Sequence, residues 1–426
     1  MYKKTKLSNG LNLITAPIIG AKTTTVLVIF ATGSKHETKA NNGISHFLEH
    51  MFFKGTTKRP TTMDISGDLD KVGAEFNAFT SKEYTGYWVK SASKQLPLAL
   101  DVVSDMLLNS KFDIEEINRE KGVITEEINM YLDNPRAYIE ELFENCLYGN
   151  QPAGWQVLGP KENIKKFNRK DFLDYFKSQY GSNSVYVVIA GKVPNNIKAL
   201  INKYFKKLKP NKYQKKIITK EKQTKPRINL HYKKTDQAHL FLGVRAFPYR
   251  HKNEQITKAL AVILGGSMSS RLFTQLRERS GLCYYVHTGY ERFTDTGYLA
   301  TQAGVPVNKL DLAIKIIMAE YEKIKKQGVG EEELNKIKQL IEGRTALQLE
   351  ASDSMAQWYA LQAAVLHQQK NPKKIIAPYQ MVEQIKKITP GQIQKIAKTI
   401  FTNSKLNLAI IGPYKDASKF KKILKF

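Results

Sequence analysis

The chain has 426 residues, 42% of them hydrophobic, and its 67 Lys and Arg outweigh 39 Asp and Glu to give a formal net charge of +28. That length exceeds what one hydrophobic core usually holds, so two domains of roughly 200 residues are expected. No stretch approaches the ~20 apolar residues of a membrane span, and two cysteines, Cys146 and Cys283, are too few for a disulfide framework.

Met1–Gly10 leads directly into strand-like sequence, with no export or organelle-targeting pattern. Together with the cysteine usage, this sets the expectation of a bacterial-type cytoplasmic protein that does not enter membranes. The charge raises the alternative of a nucleic-acid-binding protein. Against it, the lysines are spread along the chain, and neither zinc-finger spacing nor an aromatic-basic RNA-binding signature occurs. A solvated lysine-rich surface explains the charge more simply.

Strand-like segments open the chain, at Leu11–Thr15 and Thr23–Phe30. Next comes His46-Phe47-Leu48-Glu49-His50. Apolar residues at Ile44, Phe47, Leu48, Met51 and Phe52 predict a short helix, with Asn41-Asn42-Gly43 offering capping groups and Lys54-Gly55 a stop. On a helix, His46 and His50 lie one turn apart on one face and can reach one metal ion. A lone His-x-x-x-His is more often a chance pair, so further ligands decide the matter. Glu49 precedes the second histidine, the inverted order relative to His-Glu-x-x-His. A catalytic zinc also needs a third protein ligand while one position stays open.

Gly73–Thr85 reads as a hairpin, with Tyr84, Gly86, Trp88 and Lys90 alternating against Thr85, Tyr87 and Val89. Helical patterns follow at Leu96–Leu108 and Ile114–Met130, the second with Asp113 placed to cap it. Glu120 and Glu127 are seven residues apart and share a face, while Glu126 is turned away by about 100°. Glu127 is therefore the expected third ligand, with Glu120 behind it. By itself, a helix carrying Glu115, Glu116, Glu120, Glu126 and Glu127 would be read as a solvated acidic face.

Two segments recur. Glu162–Phe167 (ENIKKF) returns as Glu383–Ile388 (EQIKKI), and Asn183-Ser184 with an apolar strand ending Ile189-Ala190-Gly191 returns as Asn403-Ser404 with a strand ending Ile410-Ile411-Gly412, at offsets of 221 and 220 residues. Spacing of that length indicates a duplicated domain, not a solenoid repeat. The expected division is a zinc-binding domain over residues 1–208, a lysine-rich linker over 209–226, and a homologous domain over 227–426. Around Leu264-Gly265-Gly266-Ser267-Met268 the second half carries no counterpart of the histidine motif. Strands grouped with helices, including the pattern at Lys309–Lys326, predict an α+β layer with the sheet on one side and helices on the other.

His46-Phe-Leu-Glu-His50 followed by Glu120-Lys-Gly-Val-Ile-Thr-Glu-Glu127 resembles the pitrilysin family of metallopeptidases, which includes insulin-degrading enzyme and the mitochondrial processing peptidase. The resemblance covers essentially the whole chain. It implies two mostly antiparallel sheets covered by helices, facing each other as a clamshell around a closed chamber, and a zinc-dependent endopeptidase acting on peptides or unfolded segments. By position, His46, His50 and Glu127 would hold Zn2+, Glu49 would be the general base, and Glu120 would support a ligand. Asn77 and Ala78 would pair with the substrate backbone as an added strand.

The resemblance also matches Arg277 and Tyr284, on a helix from Ser269-Ser270-Arg271-Leu272-Phe273 and a following strand Leu282–Val286, to a pair that reaches the oxyanion. Tyr285 competes with Tyr284 for that role. Short-chain relatives often pair, which implies a homodimer or a heterodimer with a paralogue. A non-catalytic subunit is the alternative within the family, but it would normally have lost a ligand or the base. The chain lacks the extended glycine-rich loop of the processing peptidase's non-catalytic subunit, so precursor-processing specificity is not implied.

Overall fold

A computed structural model describes residues 2–369 and 374–426, which form two α+β packing units. The first comprises residues 1–128, 156–217 and 346–378, and the second 129–155, 218–345 and 379–426.

In the first unit the strands are β1 (Lys3–Lys6), β2 (Asn12–Pro17), β3 (Thr23–Phe30), β4 (Glu75–Thr80), β5 (Thr85–Ala92) and β6 (Val185–Gly191). They form one sheet in the order β1-β2-β6-β3-β5-β4, antiparallel except for the β2–β6 pair. The hairpin expected at Gly73–Thr85 is β4 and β5, and β4 ends as the free edge. In the second unit β7 (Arg227–Tyr232), β8 (Gln237–Ala246), β9 (Tyr285–Arg292), β10 (Gly297–Pro306) and β11 (Leu406–Gly412) are ordered β7-β11-β8-β10-β9, with only β7–β11 parallel.

Strand for strand, β2-β6-β3-β5-β4 and β7-β11-β8-β10-β9 have the same order and the same single parallel pair. The duplication read from the sequence is thus present in the topology. The recurring segments give the helices Lys161–Lys166 and Pro378–Lys386 and then the central strands β6 and β11.

The units are not the two contiguous halves expected on either side of the lysine-rich run. Helix Pro135–Tyr148 packs in the second unit, where Ile139, Phe143 and Leu147, all fully buried, meet Phe241, Tyr298, Ala300, Ala409 and Ile411. Helix Ser352–His367, from the second half of the sequence, packs on β3 and β6 of the first. Each fully buried apolar side chain contributes roughly 1.5–3 kcal/mol of transfer free energy, and that drive is indifferent to which half of the sequence supplies the helix.

The expected one-sided layer is also modified. Along β3, Thr23 and Thr25 meet the Ser352 hydroxyl, while Phe30, of opposite parity, packs on Tyr180. Successive side chains point to opposite faces, so β3 is covered on both. That explains why seven of its eight residues are buried.

Candidate metal centre

The histidine helix spans Ile44–Met51 and buries Ile44, Phe47, Leu48 and Met51. Of the Asn41-Asn42-Gly43 segment expected to cap it, Gly43 is the N-cap, and neither asparagine side chain bonds the helix start. Gly43 takes a positive φ of 103°, and the Glu37 carboxylate accepts from the Gly43 and Ser45 N–H groups at 2.8 Å each and from Asn42 Nδ2 at 2.8 Å. An anion at the positive end of a short helix satisfies donors that would otherwise be orphaned in a buried place. Burial lifts the Glu37 carboxyl above its ordinary range, against the pull of those hydrogen bonds.

The second contributor is helix Ile114–Asp133, whose first turn is held by Asp113 accepting from the Glu115 N–H at 2.8 Å. Its buried residues Ile117, Glu120, Ile124 and Ile128 define the inner face, and Glu127 lies beside it. Glu126 is exposed.

His46, His50 and Glu127 converge. Glu127 Oε2 lies 3.6 Å from His46 Nε2 and 3.5 Å from His50 Nε2, and one ligand atom from each residue falls within 4.8 Å of the others. Donors held about 2.0–2.1 Å from a tetrahedral zinc stand about 3.3 Å apart, which the two Glu127 distances approach. Among the described residues it is the one group of three or more His, Cys, Asp or Glu so arranged.

Behind these three residues, Glu120 Oε1 lies 2.7 Å from His50 Nδ1, and Lys54 Nζ lies 2.6 Å from Glu120 Oε2. Glu120 is 2% exposed. A carboxylate on one ring nitrogen holds that nitrogen as N–H and leaves the other free for a metal. His46 Nδ1, also buried, has no hydrogen-bond partner. The two imidazoles are therefore held differently.

The electrostatics follow this arrangement. Burial pulls the His50 pKa down, but hydrogen bonding and charge from Glu120, with Glu127 and Glu49, more than offset it and raise the net value. Burial pushes Glu120 and Glu127 up, and this is outweighed for Glu120 by His50 and Lys54 and for Glu127 by the two histidines, so both carboxyls end below their usual range. A metal ion competes with protons for imidazole nitrogens, so affinity at such a site depends on pH.

Glu49 sits on the same helix turn. Burial raises its carboxyl pKa, and the Thr80 hydroxyl, donating to Glu49 Oε2 at 2.5 Å, opposes that rise. Thr80 is the last residue of β4, and Asn77 and Ala78 lie on the same strand, paired with Trp88 and Tyr87. The Ala78 N–H donates to Asn77 Oδ1 at 2.8 Å.

Arg277 and Tyr284 belong to the second unit. The helix opened by Arg271 runs to Arg279 with a π-helical stretch over Phe273–Arg279, and the strand expected from Leu282 begins only at Tyr285. Arg277 Nη1 donates to the Tyr284 carbonyl at 3.0 Å, and its guanidinium lies over the Phe273 and Tyr284 rings. Tyr284 is 81% exposed, whereas the Tyr285 hydroxyl is engaged with His239 Nδ1 at 2.8 Å.

Thr80, Lys54 and Glu37 are absent from the sequence-derived site. Thr80 carried a usable signal, since it shares a strand face with Ala78. The other two carried none, because their partners lie off their own periodic element.

Residues 15–161 match the family model described as insulinase, peptidase family M16, and residues 166–341 match that of the peptidase M16 inactive domain. The uncharacterized zinc protease YmxG of Bacillus subtilis is 33% identical over 417 residues, covering 97% of this chain and 98% of that protein. An uncharacterized zinc protease of Streptomyces coelicolor is 31% identical, with 97% and 90% covered. Among solved structures, a protease from Helicobacter pylori superposes with a TM-score of 0.89 at 24% identity, covering 97% of this chain and 99% of that one. A structure described as a peptidase M16 inactive domain from Pseudomonas fluorescens gives 0.86 at 18% identity, with 97% and 98% covered. These matches, spanning both sheets and the histidine motif, establish that the chain belongs to peptidase family M16, the insulinase family.

Proposed function

We propose that the protein is a zinc-dependent endopeptidase that hydrolyses peptides and unfolded polypeptide segments, with Glu49 as general base. The observation that carries this reading is the convergence of His46, His50 and Glu127 beside the Glu49 carboxylate. Zinc, when bound by these three residues, would supply Lewis acidity toward the scissile carbonyl and its attacking water.

The chain's own groups divide the remaining work. Thr80 engages Glu49 Oε2, which leaves Oε1 as the atom to take a proton from water and pass it to the leaving amine. Strand β4 ends its sheet and so offers a free edge, to which an extended substrate can add through backbone hydrogen bonds at Asn77 and Ala78. Pairing of that kind requires an extended chain, which favours peptides over folded proteins. Arg277 and Tyr284 enter the reading as donors to the developing oxyanion.

Glu49→Gln tests the mechanism, since it removes the base and no ligand. Peptide hydrolysis should fall by at least ~100-fold while zinc content stays at the wild-type level. Retained turnover would count against Glu49. Tyr284→Phe should lower turnover with zinc content unchanged, and wild-type kinetics would remove Tyr284 from the reaction.

A further inference from the structure

Lys54 follows the histidine helix in a tightly specified turn. Its N–H donates to the Met51 carbonyl at 3.2 Å, and the next residue, Gly55, has a φ of 110° with no room for a Cβ, which would lie 2.2 Å from the Pro60 carbonyl oxygen. Thr56 N–H closes the turn on the Arg59 carbonyl at 2.7 Å, and the Arg59 guanidinium is bonded to Asp68, Asp101 and Asp105. The backbone that carries Lys54 is thereby fixed from both sides. Its side chain, 21% exposed, delivers the ammonium to Glu120 Oε2 at 2.6 Å.

We propose that Lys54 is a positioning residue for the metal centre, acting on His50 through Glu120. The ammonium pairs with Oε2 by charge at 2.6 Å and so disfavours rotation of the carboxylate, whose Oε1 lies 2.7 Å from His50 Nδ1. Nδ1 is then held as N–H, and the Nε2 lone pair faces the point that Glu127 Oε2 and His46 Nε2 also face. The ammonium also offsets one of three carboxylate charges, those of Glu49, Glu120 and Glu127, gathered around two imidazoles. Removing it leaves a buried carboxylate oxygen without its counter-charge, a costly state that turning away from His50 would relieve.

The asymmetry between the ligands gives this relay its weight. His46 Nδ1 has no hydrogen-bond partner to fix its ring, so orientation of the pair depends on the His50 side. This inference rests on the zinc reading above.

The test is zinc affinity of the full chain, measured by competition with a chelating dye, for wild type, Lys54→Met, Lys54→Arg, Glu120→Ala and the Lys54→Met/Glu120→Ala double variant. Lys54→Met should weaken zinc binding by ~10–100-fold, the usual effect of losing an outer partner of a metal ligand, and Lys54→Arg should restore most of it. In the Glu120→Ala background, Lys54→Met should change affinity less than about twofold, because its route to His50 is already gone. Wild-type affinity in Lys54→Met, or an equal loss with and without Glu120, overturns the inference and leaves the zinc reading standing. If Lys54→Met proves too unstable to measure, Lys54→Gln carries the same expectation in reduced degree. A wild-type chain that binds no zinc overturns both.

Discussion

The Thr80 hydroxyl donates to Glu49 Oε2 at 2.5 Å and so joins the free-edge strand β4 to the carboxylate beside the paired histidines. Ala78 and Thr80 share one face of that strand, being two residues apart. A substrate strand added to β4 would therefore be registered against the same element that orients Glu49. Thr80→Val keeps the side-chain shape and removes the donor, and should lower kcat by ~10–100-fold, with KM within about threefold and zinc unchanged. Thr80→Ser should retain most activity. A Thr80→Val enzyme with wild-type kcat would show that the contact orients nothing.

Acid sensitivity should include a contribution from His36. Its Nε2 lies 2.7 Å from the Tyr213 hydroxyl, and its pKa is lowered to about 3, first by burial and then by the Lys216 charge. An unfolded His titrates near 6.5, so between those values the unfolded chain binds the extra proton. Stability from His36 is full above pH 6.5 and is lost as pH falls toward 3. As a residue His36 is half-buried, so the loss between pH 6.5 and 5 should be on the order of 1 kcal/mol, below the full linkage value. Denaturant unfolding at several pH values should show a shallower fall over that window in His36→Asn than in wild type. Parallel curves would contradict this.

The loop after the histidine helix depends on one buried cation. Arg59, 4% exposed, reaches Asp105 at 3.0 Å, Asp101 at 2.7 Å and Asp68 at 2.9 Å, and Asp105 is equally buried. Arg59→Leu leaves Asp105 without its counter-charge, with Thr56 Oγ1 and Asn109 Nδ2 as remaining donors. Breaking a buried pair from one side costs about 3–5 kcal/mol. The partly exposed Asp68 and Asp101 can rehydrate, so the lower end is expected in chemical denaturation. A loss under about 1 kcal/mol would mean that water replaces the guanidinium freely.

The convergence of His46, His50 and Glu127 was legible because helical geometry is local. A spacing of four put His46 and His50 on one face, and a spacing of seven put Glu127 with Glu120 while turning Glu126 outward. The structure has those orientations. What could not be read is which surface an element covers. Ile139, Phe143 and Leu147 announce an amphipathic helix but do not name the sheet that receives it, and the lysine-rich run marks a joint in the backbone without assigning the helices on either side.

Contacts between distant elements were hidden for the same reason. Lys54 meets Glu120, and Thr80 meets Glu49, across intervals that no periodicity spans. Glu37 caps the histidine helix from seven residues before its first residue, outside any capping-box spacing. The duplication was visible because Glu162–Phe167 and Glu383–Ile388 share four of six residues, and the matched strand orders agree with it.

Metal content read together with peptide cleavage tests the central claim most directly. Purified wild-type protein should carry one zinc per chain, lose cleavage of a mixed peptide library on chelation, and regain it when zinc is restored, while Glu127→Ala should bind zinc far more weakly and cleave nothing. Full zinc occupancy in Glu127→Ala, or cleavage that survives complete removal of the metal, would contradict the account.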